Sequence, residues 1–228
     1  MPFTAQIPKV MLPVGDRPVL GHNLLLLKKA GIEEAVITLY HKAEAVRAYF
    51  REGSASGVRI RYCQLDTLRG SAGDLKRALD HSPSAFLVMY ADNFSNCDLA
   101  RVCAAHKPDG RAATVVVFDR TKNANSGITG GCVRMDEVGR ITEFIEGQGN
   151  VTPFVNAGIY VLEPKVLDYI PADTFMDFGR DLFPLLLARG EGIAAYVMPS
   201  DEFLFGIDTI ECYETTKNFY KAQPAPGG

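Results

Sequence analysis

Residues 85–93 read AFLVMYADN, a run of six apolar or aromatic positions that ends two residues before a carboxylate, Asp92. A short run without polar alternation predicts a strand covered on both faces, which requires helices above and below its sheet. The flanking sequence supplies them. Ser71–Leu79 and Cys97–His106 have helical spacing on either side, and Ala113–Phe118 (ATVVVF) is a second buried strand. Further upstream, a leucine stripe over Pro18–Ala30 stops at Gly31, and Ala35–Leu39 and Val58–Cys63 read as strands around a helix at Lys42–Arg51. Strands alternating with helices imply βαβ units, hence an α/β three-layer sandwich with a mostly parallel central sheet.

The second half of the chain departs from this alternation. Cys132–Met135 and Arg140–Ile145 flank the turn signal DEVG, which predicts a hairpin, and Phe154–Leu162 is a further strand. Helices are expected at Lys165–Tyr169, Asp177–Ala188 and Thr209–Lys221, with a strand at Ile193–Met198. The chain reads as one domain over residues 1–222, followed by a Pro/Gly tail at 223–228 with nothing to bury.

Composition removes several classes of function. Of 228 residues, 47% are hydrophobic and 22% charged, with a net charge of −3, so no basic footprint for a nucleic acid polymer is present. The apolar runs are too short to cross a bilayer, so no membrane partner is expected. Five cysteines, an odd number without a C-x-x-C pair, argue against a disulfide framework or a metal cluster and fit a reduced cytoplasm. The four histidines form no grouping with a nucleophile.

Chemistry in an open α/β sheet gathers at the carboxyl ends of the strands. Asp92 emerges there, either as a metal carboxylate or as an Asx turn closing the strand. Gly70, Ser71 and Ala72, in LRGSAGDL, open a helix whose first N–H groups would face an anion or a base edge, or form a plain cap. Lys9 sits between Pro8 and Pro13 and reads as a phosphate contact or a surface lysine. Asp208 reads as a second metal carboxylate or a helix cap.

In order along the chain, these pieces resemble the sugar nucleotidyltransferases. IPKVMLPVGDRPVL resembles the family's IPKPMLPV-GKP-L, and LRGSAGDL its LGTAGAL. Ala91-Asp92 corresponds to Gly-Asp, GCVRMDEVGR to GVV-LDE-GR, NAGIYVLEPKVLDYIP to NAGIYVLEPEVLDYIP, and DFGRDLFP to DFERDLFP. The resemblance runs from Pro2 to Tyr213. It implies a Rossmann-like fold, a reaction joining a sugar 1-phosphate to a nucleoside triphosphate with release of pyrophosphate, and Mg²⁺ as cofactor. By matching position it implies Lys9 and Asp92 as catalytic, Gly70, Ser71 and Ala72 as nucleotide-binding, and Gly131, Glu146 and Asn156 as sugar-binding. Asp92 and Asp208 would hold the metal.

Three departures accompany the resemblance. Gly147 stands where the family's E-K-P motif has its lysine, and Gly206 aligns with the family's second metal aspartate, two residues before Asp208. The family's first strand and G-x-G-T-R loop would precede Pro2, so their neighbours are expected to have unpaired edges that favour self-association. A family member that binds a nucleotide sugar or a partner subunit without turnover is the alternative expectation.

Overall fold

The computed structural model describes residues 7–107, 109–127, 131–148 and 151–223. The tail residues 224–228, and the first residues of the chain, lie outside this set. A turn of 3₁₀-helix at Lys9–Met11 leads into a small hairpin of β1 (Pro13–Val14) and β2 (Arg17–Pro18). Then come α1 (Val19–Lys29), β3 (Glu34–Leu39), α2 (Ala43–Phe50), β4 (Arg59–Gln64), α3 (Gly70–Ala78), β5 (Phe86–Met89), β6 (Asn93–Ser95) and α4 (Leu99–Ala105). The rest is β7 (Ala113–Asp119), β8 (Ala124–Asn125), β9 (Cys132–Met135), β10 (Ile141–Ile145), β11 (Phe154–Leu162), α5 (Phe183–Ala188), β12 (Ile193–Val197), β13 (Phe203–Gly206) and α6 (Ile210–Ala222).

The expected α/β layering is present. The six-stranded sheet runs β10-β9-β11-β7-β12, with β5 also paired to β11. Strand β11 pairs with three strands, β5, β7 and β9, and all seven residues of its neighbour β7 are buried. Val116 and Phe118 face one core with Leu20, Leu24 and Leu27 of α1 and Leu99 and Val102 of α4. Val115 and Val117 face the other, with Phe178, Leu182, Phe183 and Leu186. This alternation, with period two, makes a single strand serve two helical layers. The parallel pairs are β3–β4, β7–β12 and, in a smaller sheet, β8–β13, while β11 lies antiparallel to β5, β7 and β9, so among the described residues the six-stranded sheet is mixed, with β7–β12 its one parallel pair.

Several elements differ from the sequence reading. The expected helix at 177–188 is a π-helical turn, Phe178–Leu182, followed by α5, and the one at 165–169 is 3₁₀-helix from Pro164. Strands β6, β8 and β13 form a separate small sheet. The strand at 85–90, expected to be buried on both faces, is only half-buried at all four residues of β5. Its pairing explains this: β11 holds one edge, and the other faces an open cleft.

Candidate active site

Three segments bring Lys9, Asp92 and Asp208 together. Asp92 precedes β6 and Asp208 follows β13, and these strands pair antiparallel with Gly206 opposite Asn93. Antiparallel register therefore places the residue just before one strand beside the residues just after the other. This is why Asp208 reaches the site although Gly206 occupies the aligned position. The 3₁₀ turn carrying Lys9 is fixed from below. Leu12, Val14 and Val19 pack with Phe94, Phe205 and Tyr213, and the Tyr213 hydroxyl donates to Pro13 O at 2.7 Å.

The Lys9 ammonium donates to Asp92 Oδ2 at 3.1 Å and to Asp208 Oδ1 at 2.7 Å. Partial burial pulls its pKa down, but the two carboxylates outweigh that pull and hold it above the ordinary lysine value. The capping role open to Asp208 falls instead to Thr209, whose hydroxyl accepts from Cys212 N at 3.1 Å. Two carboxylates converging on one cation suit Mg²⁺, which takes one or two protein carboxylates and completes its shell with phosphate and water. Among the described residues no cluster of three or more His, Cys, Asp or Glu side chains could hold a metal.

A second group forms around Glu146, just beyond β10. A Cβ on Gly131 would stand 2.0 Å from Glu146 Oε1, and one on Gly179 would stand 2.3 Å from it. Both positions therefore require glycine for the carboxylate to lie against the backbone. Burial pushes the Glu146 carboxyl above the usual range, and the negative charge of Asp177 adds to the shift. Its oxygens accept no hydrogen bond among the described residues, so they are open to hydroxyl donors. Asn156 N donates to Gly131 O at 3.0 Å, tying β11 to the glycine. The Asn156 side-chain amide donates to Tyr160 Oη at 3.0 Å, and its Oδ1 accepts from Gly158 N.

The start of α3 is arranged differently from expectation. Ser71 N and Ser71 Oγ both donate to Asp177 Oδ1, at 2.9 and 3.2 Å, and Ala72 N and Gly73 N both donate to Met176 O. The N–H groups expected to await an anion or base are thus occupied by the 174–178 segment. Gly70 has φ +75°, and a Cβ there would meet Met176 O at 2.6 Å, so this packing also depends on glycine. Tyr90 Oη donates to Ser71 Oγ at 3.2 Å, which in turn accepts from Phe178 N at 3.1 Å.

Every residue singled out from sequence has a defined place: Lys9, Asp92 and Asp208 form one centre, Gly131, Glu146 and Asn156 another, and Gly70–Ala72 a third segment linked by Asp177. Sequence reasoning missed Asp177, Gly179 and Tyr90. DFGRDLFP carried the signal for the first two, since a π-helical turn often marks a functional site. Gly147 has φ +71° and open space where a Cβ would stand, and it brings no charge to the neighbourhood of Glu146.

Comparison with known proteins bears on the family and the fold. Residues 1–202 match the family model of the nucleotidyl transferases. A UTP–glucose-1-phosphate uridylyltransferase of Synechocystis sp. is 33% identical over 204 residues, covering 83% of this chain and 52% of the relative. A mannose-1-phosphate guanylyltransferase of Mycobacterium tuberculosis is 32% identical over 192 residues, with the same coverage of 83% and 52%. The chain thus spans about half the length of these curated relatives. In fold it is similar to a Bacillus anthracis protein solved with sucrose and assigned as a glucose-1-phosphate thymidylyltransferase, with TM-score 0.83, 19% identity, and coverage of 99% of this chain and 92% of that one. The match across residues 1–202 and the identity to the curated relatives together make this chain a member of the nucleotidyl transferase family.

Proposed function

We propose that this chain carries the nucleotide-sugar-forming site of a sugar-1-phosphate nucleotidyltransferase, which joins a nucleoside triphosphate to a sugar 1-phosphate and releases pyrophosphate. The observation that supports this most is the convergence of Asp92 and Asp208 on the Lys9 ammonium. In-line attack of one phosphate on another needs two anions held together, so catalysis rests on positioning and charge neutralisation. Lys9 binds a phosphate oxygen, and Asp92 and Asp208 hold a divalent cation, Mg²⁺, whose chemistry is to screen the phosphates from one another. Glu146 accepts bonds from sugar hydroxyls, and the Asn156 amide orients the same ring. A base docking through the N–H groups of Ser71 and Ala72 requires the 174–178 segment to yield its bonds to them.

Gly147 supports a second reading, in which the chain binds a nucleotide sugar without turnover, because no lysine is present there to hold the sugar phosphate. Pyrophosphate release with a panel of nucleoside triphosphates and sugar 1-phosphates in Mg²⁺ separates the two. Turnover that falls at least about a hundredfold in Lys9→Ala supports catalysis. Binding of a nucleotide sugar without pyrophosphate release supports the second reading, and neither activity nor binding overturns both.

A further inference from the structure

The ladder of β6 and β13 presents Asp92 and Asp208 at one end and is tied by side chains at the other. There Ser95 Oγ donates to Phe203 O at 2.6 Å. Asn96 clasps the neighbouring segment twice, its Nδ2 donating to Asp201 O at 3.3 Å and its Oδ1 accepting from Phe203 N at 2.7 Å. From the turn after β7, Asn123 Nδ2 donates to Pro199 O at 2.6 Å and to Glu202 O at 2.9 Å. Residues 199–203 are thus clamped onto residues 95–98, and this clamp adjoins the register that brings the two carboxylates to Lys9.

One member of the clamp breaks the usual rule for a buried acid. Glu202 is 6% exposed, and among the described residues it has no ion pair. Its Oε1 accepts from Asp98 N at 3.1 Å, while its Oε2 is buried without a partner. Tyr196 Oη, from β12, is also buried and unpartnered; burial first and the Glu202 charge second push its hydroxyl above the ordinary tyrosine value. The other groups facing the carboxyl are the Cys97 thiol, Asp98 at the cap of α4, Arg101 of α4, Asp201 and the neutral Asn123. Burial has the largest influence and pushes the Glu202 carboxyl above the ordinary glutamate value. The bonds from Asp98 N and Cys97 and the Arg101 charge offset only part of that push. Local polarity rules are broken chiefly where a function is served, and this buried acid adjoins the ladder of the active site.

We propose that Glu202 is a positioning residue for the centre of Lys9, Asp92 and Asp208, and that it works as a clamp set by one proton. With a proton on Oε2 the neutral side chain stays inside and holds residues 199–203 on residues 95–98. The bare carboxylate is drawn toward water, loosens that hold and lets β13 shift against β6. The inference rests on the reading of that centre as the metal site. Because the folded state raises the Glu202 carboxyl, its contribution to the closed clamp is complete in acid and is lost as pH rises through the raised value.

The test compares the intact wild-type chain with Glu202→Gln, which fixes the neutral form and keeps an acceptor for Asp98 N. Mn²⁺ is the probe, titrated alone and followed by water-proton relaxation, and amide hydrogen exchange is read beside it at about pH 5 and about pH 8. Proton loss from the metal carboxylates affects both proteins alike, so the ratio between them isolates Glu202. At the higher pH the variant is expected to bind Mn²⁺ at least about threefold more tightly and to protect the amides of residues 93–95 and 203–206 at least about threefold better. At the lower pH the two agree, and β7 is alike throughout. Equal behaviour at both pH values would overturn the proposal, and so would a variant that is looser than the wild type at both. If neither protein binds Mn²⁺, the metal reading fails, and the amide ratio alone decides on the clamp. If the variant does not fold, the wild type decides: protection of residues 203–206 relative to β7 is expected to fall at least about threefold between the two pH values, and a constant ratio would overturn the clamp.

Discussion

Strands β7 and β5 are both short, apolar and paired to β11, yet all seven residues of β7 are buried and all four of β5 are half-buried. The difference lies on the far edge. There β7 meets β12, whereas β5 meets the cleft. Apolar composition makes a strand, but its neighbours decide how deeply it is buried. The contrast extends to function. Asn156, on β11, sits in the closed half of the sheet. Asp92 leaves the open half and is held in place from elsewhere, by the β6–β13 pairing and by Lys9.

The largest expected effects test this contrast in stability. Phe118→Ala, in the closed half, opens a cavity at a fully buried site and is expected to cost about 3–5 kcal/mol in denaturant unfolding. Leu87→Ala, in β5, removes a half-buried side chain beside space already open, so no enclosed cavity forms and the loss is about 1 kcal/mol. Equal losses would mean that the cleft is filled in solution. Next in size is Asp177→Ala, which strips Ser71 N and Oγ of their acceptor. It is expected to cost about 1–3 kcal/mol and to loosen the start of α3, read as faster amide exchange at Ser71.

How much of this was legible in the sequence follows the same division. Elements with a strong period, such as the leucine stripe of α1, the alternation of β4 and the unbroken run of β7, were readable because local pattern alone specifies them. The hairpin of β9 and β10 was equally clear from its turn. Strands β6, β8 and β13 were not, because two to four residues carry no period and their pairing joins segments far apart in the chain. The meeting of Asp92 with Asp208 depends on that pairing, so local pattern offered each carboxylate separately, and only the family resemblance put them on one metal. The occupied N–H groups of Ser71 and Ala72 were invisible for a similar reason: Met176 and Asp177 cover them from a remote loop. Half-burial of β5 was unreadable because a strand's own residues do not say whether both of its edges are paired.

The smallest expected effect has a sign that sets it apart. Because the folded state raises the Glu146 carboxyl above its ordinary value of 4.5, the folded protein holds this proton more tightly than the unfolded chain. Its contribution to stability is therefore greatest in acid and falls as pH rises through the window just above that value. Glu146→Gln removes the penalty. Its melting temperature at pH 7 is expected to equal or exceed that of the wild type, while sugar-phosphate affinity drops. A melting temperature that falls at pH 7 would show that the carboxylate is held by bonds it needs.

The centre formed by Lys9, Asp92 and Asp208 is tested most directly by calorimetric titration of a nucleotide sugar with and without Mg²⁺, in the wild type and in Asp208→Asn. Mg²⁺-dependent binding is expected, weakened at least tenfold in the variant, because the carboxylate two residues beyond Gly206 is the one that antiparallel register brings to the site. Binding that needs no metal, or that Asp208→Asn leaves unchanged, would contradict it.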